Sequence, residues 1–132
     1  MKRMFTSAAV LVATTAGLFA GNIAPAQAQG GNYYGAIAAN VRAGVYGYAQ
    51  DYDSYSAARS AAINACAGAG GGGGCAVKVS YRNGCGAISI SKGWWGFGSA
   101  STLQGAKREA LNANPGAGAF IKHWNCTSNY SL

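Results

Sequence analysis

The sequence predicts an α+β domain made of a duplicated strand-strand-helix-strand unit. About six strands should form one mainly antiparallel sheet, with two helices on one of its faces. Short motifs recur in the same order in both halves, two alanine-rich stretches have helical periodicity, and four cysteines form an even set. The 132 residues are the length of a single domain. We assign a signal peptide to residues 1–28 and a single secreted, disulfide-stapled domain to residues 29–132.

The N-terminal segment has the three parts of a secretory signal peptide. Lys2 and Arg3 form a positive start, residues 8–20 are largely apolar, and residues 26–28 (Ala-Gln-Ala) have the small side chains that signal peptidase requires. The apolar run is shorter than the roughly 20 residues that span a bilayer. We expect cleavage before Gln29, a secreted, extracellular or periplasmic location, and no transmembrane segment in the mature chain. Intact-mass measurement of the exported protein checks this start.

The rest of the chain consists of two similar units, over residues 34–83 and 85–126. Four motifs of the first unit recur in the second in the same order. The pairs are 34–38 (YGAIA) with 85–89 (CGAIS), 46–49 (YGYA) with 95–98 (WGFG), 58–65 (ARSAAINA) with 106–113 (AKREALNA), and 77–79 (VKV) with 121–123 (IKH). Four matches in register indicate an internal duplication, so each unit should fold as strand, strand, helix and strand.

Two helices are predicted over residues 54–67 and 101–113, because small apolar residues recur there at three- and four-residue spacing. The second stretch begins with Ser101 and Gln104, which have the spacing of a capping box. Glycine ends the first helix, and Pro115-Gly116 ends the second. Both apolar stripes consist mainly of alanine, so each helix can pack close to a sheet.

Two loops have distinctive sequences. The glycine run over residues 70–74 follows a helix and leads into a strand. A phosphate-binding loop has the reverse order, so this run is predicted to be a flexible connector. Asn83-Gly84 is a strong hairpin signal. It predicts that the chain turns back there from one strand into the next.

The four cysteines are expected to form two disulfides, Cys66–Cys75 and Cys85–Cys126. Cys66 lies on the apolar stripe of the first helix, and Cys75 has the core-side parity of the strand that follows. The second pair then joins the first strand of the second unit to its last. No two cysteines have the short spacing of zinc ligands. We predict no metal and no cofactor.

The motifs of both units resemble those of a known bacterial family. The matching features are residues 34–38, an alanine-rich helix that ends in cysteine, and the sequence Asn-Gly-Cys-Gly-Ala-Ile at 83–88. Over about residues 33–126 the chain is similar to domain-of-unknown-function family four-one-eight-nine, found in secreted proteins of mycobacteria, related actinobacteria and some proteobacteria. Members often have a further helix-end cysteine and its partner, where this chain has Asn114 and Ala119. The resemblance implies an exported protein acting on a host or neighbouring cell, and it implies no catalytic residues.

The chain has few residues of the types that carry catalysis, and we predict that it is not an enzyme. Its charged fraction is 10%, against about 25% in an average domain. His123 is the only histidine, and in the repeat it takes the place of a strand residue, Val79. Asp51 and Asp53 precede the first helix, where they interact well with its N-terminal dipole. Nothing in the sequence pairs them with Glu109 as the two carboxylates of a glycosidase.

The positive charge of the chain is dispersed. The net charge is +7, or +5 without the two basic residues of the signal peptide. The basic residues occur singly apart from one adjacent pair in the mature chain, so no specific nucleic-acid binding is expected. The charge favours a weak association with anionic surfaces such as envelope polymers or lipids.

Strand alternation predicts a binding face on the side of the sheet opposite the helices. It assigns Val77, Val79, Ile121 and His123 to the helix side. An uncovered aromatic surface of this kind is typical of a partner site, although the same rings could instead stabilise the sheet by packing across strands. The predicted face consists of Tyr46, Tyr48, Trp95, Phe97, Phe120 and Trp124, with Lys78 and Lys122 at its edge.

The sequence therefore predicts a small secreted, disulfide-stabilised binding or interaction protein directed at a host or a competitor. Its partner would be an unidentified protein or envelope component. The alternative is a small cell-envelope hydrolase or hydrolase inhibitor. Loss of activity on His123→Ala, with the fold intact, would favour an enzyme.

Overall fold

The computed structural model describes residues 31–130, and the predicted signal peptide over 1–28 lies outside them. The described residues form six strands and two helices. The strands are β1 (Tyr34–Asn40), β2 (Val45–Tyr52), β3 (Ala76–Arg82), β4 (Cys85–Ser91), β5 (Trp94–Ala100) and β6 (Phe120–Cys126); the helices are α1 (Tyr55–Cys66) and α2 (Leu103–Asn112). Two short helical turns, Ala67–Gly71 and Gly72–Gly74, connect α1 to β3. Each unit has the element order that the repeat predicts.

The six strands form two three-stranded antiparallel sheets, with the orders β2-β1-β3 and β5-β4-β6. The α+β class and the duplicated unit are confirmed, but the strands do not join into one six-stranded sheet. The first strand of each unit is central, and both of its edges are paired within its own unit. Because β4 has no free edge for β3, Asn83-Gly84 connects the two sheets instead of closing a hairpin. Asn83 adopts a left-handed φ of 50° at this crossing.

The helices cover the outer faces of the two sheets, so the layers run helix, sheet, sheet, helix. The prediction of both helices on one face of a single sheet is therefore wrong in this detail, because each helix packs on its own unit. In the first unit the buried contacts are Ala58 and Ala62 of α1 against Ala36, Ala38 and Ala49. The corresponding buried residues of the second unit are Ala106, Ala110, Cys85 and Ala87.

Glycines in β2 and β5 bring each helix against the backbone of its sheet. A Cβ atom at Gly47 would lie 2.2 Å from the backbone nitrogen of Cys66 in α1. At Gly98 it would lie 2.3 Å from the backbone nitrogen of Ala110 in α2, and at Gly96 it would lie 2.4 Å from the carbonyl oxygen of that residue. Packing at this distance requires glycine at all three positions.

The inner faces of the two sheets pack against each other around Ile37 and Ile88, which are both fully buried. Tyr81 of β3 reaches across this interface. Its hydroxyl donates to the main-chain oxygen of Asn125 in β6 at 3.2 Å, and the Asn125 amide donates back to the hydroxyl. Burial raises the pKa of Tyr81. The interface between the units therefore combines a small apolar core with a buried polar link between Tyr81 and Asn125.

A β-bulge occurs at the same position in both units. The extra residue is Lys78 in β3 and Lys122 in β6. A bulge reverses the alternation of the residues that follow it. Val79 and His123 pair with Ile residues of the inner faces, so they face the opposite sheet and not the helix as alternation predicts. Ile121, before the bulge, packs on the α2 side as predicted.

Each helix begins with a hydroxyl side chain that caps its first turn. Ser54 Oγ accepts a hydrogen bond from the Ala57 N–H at 3.0 Å. Thr102 Oγ1 accepts one from the Gly105 N–H at 3.0 Å. The cap of α2 is therefore Thr102, one residue after the predicted Ser101.

The Thr102→Ala variant is expected to lower the free energy of unfolding by about 1 kcal/mol, because the Gly105 N–H loses its acceptor. Ser101→Ala changes the neighbouring exposed hydroxyl and should shift the same quantity by less than about 0.5 kcal/mol. Urea denaturation followed by circular dichroism measures both variants. Equal losses in the two would contradict the assignment of the cap to Thr102.

Both predicted disulfides are present. Cys66–Cys75 joins the end of α1 to the residue before β3, across the glycine loop. Cys85–Cys126 joins β4 to β6 at positions that are paired in the sheet. No cysteine within residues 31–130 is free. In the same part of the chain neither helix has the length and apolar character needed to cross a membrane.

Candidate functional site

Five rings from both units lie between the two sheets and form what we call the inter-sheet cluster. Its members are Tyr46, Tyr48, Trp95, Phe97 and His123. The centroid of the His123 ring lies 5.1 Å from that of Tyr46 and 4.5 Å from that of Tyr48. Tyr46 and Trp95 meet edge-to-face across the sheets at 6.4 Å. All five side chains are half-buried.

His123 is the histidine inside this cluster. Its Nε2 atom is buried and has no hydrogen-bond partner among the described residues. Burial lowers the pKa of His123 from its ordinary value of 6.5, and the rings that face it belong to Tyr46 and Tyr48. The cluster therefore favours the neutral imidazole. Within residues 31–130 no group of three His, Cys, Asp or Glu side chains is placed to hold a metal ion.

The fold is expected to lose stability as the pH falls below the ordinary histidine pKa. The unfolded chain binds a proton at His123 more readily than the folded protein does. The stability that the neutral His123 side chain contributes is therefore fully present above pH 6.5 and is lost as the pH falls below that value. The His123→Gln variant should have a much smaller change in the urea midpoint between about pH 7.5 and 5.5. An unchanged pH dependence in that variant would contradict this assignment.

Four residues of the predicted binding face lie in the inter-sheet cluster, where each faces the opposite sheet and is half-buried. Lys78 is at the rim of the cluster, with Nζ 5.8 Å from the centroid of the Phe97 ring. Phe120 pairs with Ile90 and lies on the inner face of its sheet, as the rings of the cluster do. Its side chain is nevertheless 56% exposed. Lys122 is exposed on its bulge. The structure therefore leaves only part of the predicted face open.

Trp124 lies on the opposite side of the sheet from the one that alternation predicts. It pairs with Ala87, whose side chain packs against α2. The Nζ atom of Lys107 in α2 lies 5.5 Å from the centroid of the Trp124 ring. The bulge at Lys122 causes the reversal, so Trp124 and Phe120 do not share a face.

The turns of the two β-hairpins lie at the same end of the molecule. These turns cover residues 41–44, between β1 and β2, and 92–93, between β4 and β5. Tyr46 and Trp95 each follow their turn closely, and their contact across the sheets brings the two turns together. Phe120 lies in the same cross-strand row as Trp95, because both pair with one residue of β4.

Asn114, just beyond α2, ties the end of that helix to the second hairpin. Its Oδ1 atom accepts hydrogen bonds from the Ser91 hydroxyl and the Gly116 N–H, both at 2.8 Å. Its Nδ2 atom donates to the carbonyl oxygen of Trp94 at 3.3 Å. These bonds place the last turn of α2, which contains Leu111, beside the second hairpin.

Exposed apolar side chains are concentrated at this end of the molecule. Six large hydrophobic residues are exposed within residues 31–130, and four of them lie here; Trp94, at 53% exposure, is the most exposed of them after Phe120. The turns add two exposed cations, Arg42 and Lys92, at matching places in the two units. We call this set the hairpin end; it consists of Val41, Arg42, Lys92, Trp94, Leu111 and Phe120.

The other two exposed hydrophobic residues have different surroundings. Tyr55 lies under the guanidinium carbon of Arg59, 5.1 Å from the ring centroid, and Trp124 lies under Lys107. Within the described part of the chain, neither Trp94 nor Phe120 takes part in a ring pair or a cation–π contact. Trp94 and Phe120 are therefore exposed aromatic side chains that have neither an aromatic nor a cationic partner among the described residues.

Two of the three acidic side chains of residues 31–130 lie at the opposite end of the molecule from the hairpin end. Asp51 and Asp53 lie at the far end of β2 and before α1. The Asp51 carboxylate accepts hydrogen bonds from the N–H of Ser128, at 2.8 Å, and from its hydroxyl. Glu109 lies within α2, beside Gly98 of β5. The turns at 41–44 and 92–93 thus carry positive charge and no carboxylate.

Of the hairpin end, the sequence analysis predicted only Phe120 and missed the other five residues. A signal for Lys92 and Trp94 is present in the run Lys92-Gly93-Trp94-Trp95. Two adjacent tryptophans in a strand point to opposite faces, so only one of them can lie between the sheets. The position of Arg42 at the tip of the matching turn follows from the repeat.

Comparison with known proteins identifies the family. The model of the family described as Domain of unknown function (DUF4189) matches residues 34–126. The NMR structure of Rv1813c from Mycobacterium tuberculosis is similar, with 28% sequence identity and a TM-score of 0.55, over 71% of this chain and 74% of that one. No curated protein matches the chain. The family match begins with β1 and ends with β6, so this chain belongs to the family Domain of unknown function (DUF4189).

Proposed function

We propose that the chain is a small secreted, disulfide-stabilised binding protein whose contact region is the hairpin end. Its target is a component of a host, of a competitor or of the bacterial envelope. The observation that carries the proposal is the concentration of four exposed apolar side chains and two cations at one end of the fold. Apolar patches edged by charge are typical of partner sites.

A binding role, as opposed to a catalytic one, is supported by the surroundings of the titratable side chains. The Nε2 atom of His123 is buried between the sheets. The Asp51 carboxylate is engaged by Ser128 of the C-terminal segment. General acid–base catalysis requires a group within hydrogen-bond reach of its substrate, and these two groups are engaged in the packing of the protein itself.

The test compares two double variants of the oxidised, exported protein. Trp94→Ser with Phe120→Ser removes the two most exposed rings of the hairpin end. Tyr55→Ser with Trp124→Ser removes two exposed rings elsewhere and is the matched control. Each protein is incubated with bacterial envelope and host-cell fractions, and the retained fraction is measured after near-UV circular dichroism has verified the fold.

We expect retention of the wild type and the control, and at least about a tenfold loss for the hairpin-end variant. Equal retention of all three proteins would overturn the assignment of the contact region. Turnover of envelope glycan that disappears in His123→Ala would overturn the binding role in favour of a hydrolase.

A further inference from the structure

We propose that the hairpin end docks on an anionic lipid bilayer, with its rings in the interfacial layer and its two cations against lipid phosphates. This inference rests on the proposed function and names the partner of the same site. Three features of the hairpin end support it: the direction of its rings, its charge, and its position at the tips of two turns.

The rings of the hairpin end point in different directions. Trp94 pairs with Ser91 and lies on the helix side of the second sheet, beside Gly116. Phe120 pairs with Ile90 and lies on the inner side. Two rings on opposite faces of a sheet cannot stack together on a glycan chain or fill one groove. Both can enter a plane that crosses the end of the sheet, which is the geometry of a bilayer surface.

The charge of the hairpin end complements an anionic surface. Arg42 and Lys92 lie at the tips of the two turns, one in each unit, and both are exposed. Asp51 and Asp53 lie at the opposite end, so docking keeps these two carboxylates away from the lipid phosphates. Cations close to an anionic leaflet are attracted to it, and the attraction decreases within a Debye length.

The residue types and their placement also suit an interfacial layer. Tryptophan and basic side chains are enriched where proteins meet the membrane–water boundary, because each combines apolar and polar parts. Val41 and Leu111 add exposed aliphatic side chains at the same end of the molecule. The protein would rest on the bilayer by its turns, without a spanning segment.

The test is co-sedimentation of the oxidised, exported protein with vesicles of phosphatidylcholine alone or with about 30% phosphatidylglycerol. We expect binding to the anionic vesicles that weakens with added salt. Trp94→Ser with Phe120→Ser should lower the partition coefficient at least about tenfold. Arg42→Gln with Lys92→Gln should lower it by a similar factor on anionic vesicles only.

The matched charge control is Arg59→Gln with Arg82→Gln, which removes two exposed cations at the end of the molecule opposite the hairpin end. It should retain most of the binding. An equal loss in this control would overturn the proposal in favour of an attraction that depends on net charge alone. Absence of vesicle binding, with retention on envelope or host fractions that still depends on Trp94 and Phe120, would overturn the lipid partner and leave the binding function intact. Absence of both would overturn both.

Discussion

Replacing both cysteines of the Cys85–Cys126 disulfide with alanine is expected to lower the free energy of unfolding by about 4 kcal/mol. The bond closes a loop with a sequence separation of 41 residues. Its removal releases conformational entropy in the unfolded chain, and the gain increases with loop length. Since a domain is stable by only about 5–15 kcal/mol, the loss would be a large part of the total.

The matched control is the double alanine variant at Cys66 and Cys75, which opens a loop with a separation of 9 residues. The same relation gives about 2.6 kcal/mol for that loop. Each pair has one fully buried member, Cys66 or Cys85, so the loss of side-chain packing is similar in the two variants. Guanidinium denaturation measures both. A loss at the short loop that equals or exceeds the loss at the long one would contradict the explanation from loop length.

The Gly98→Ala variant is expected to lower the free energy of unfolding by about 3 kcal/mol. The added Cβ would lie 2.3 Å from the backbone nitrogen of Ala110 and 2.7 Å from the carbonyl oxygen of Ala106. Helix backbone cannot move aside as a side chain can, so α2 would have to shift away from the sheet. Separation of α2 from β5 also opens the packing of its buried alanines.

The control for this variant is Gly73→Ala in the glycine loop. No atom lies within 4 Å of a Cβ at Gly73, and its φ is not positive. The substitution should change the stability by less than about 0.5 kcal/mol. Urea denaturation of both variants measures the difference. Wild-type stability in Gly98→Ala would show that the helix does not approach the sheet as closely as the structure has it.

The local patterns of the sequence were sufficient for the elements and for their packing in pairs. Gly47 and Gly96 alternate with the aromatic residues of β2 and β5, so strand parity places them on the helix side, and both lie beneath a helix. The disulfide pairing followed from the position of Cys66 on the helix stripe and of Cys75 before the next strand. These features depend on the fixed periods of helices and strands and on neighbouring elements, so one sequence is enough to predict them.

The bulges at Lys78 and Lys122 could not be predicted in the same way. In each strand an apolar or histidine residue alternates with lysine, and that pattern is the same whether the strand is regular or has an extra residue. Only the pairing with β1 and β4 shows the extra residue. The faces of His123 and Trp124 were predicted wrongly for this reason.

By itself, the sequence determined the duplicated unit, the alanine-faced helices and the two disulfides, because each depends on local periodicity and on the order of elements along the chain. Only the tertiary structure decided that each unit closes its own sheet and that the two sheets pack face to face around Ile37 and Ile88. That packing covers the predicted aromatic face and brings the turns at 41–44 and 92–93 to one end. The physical reason is that contacts between distant segments depend on which strand edges remain free and on how side chains fit across the interface, and neither has a periodic signal in the chain.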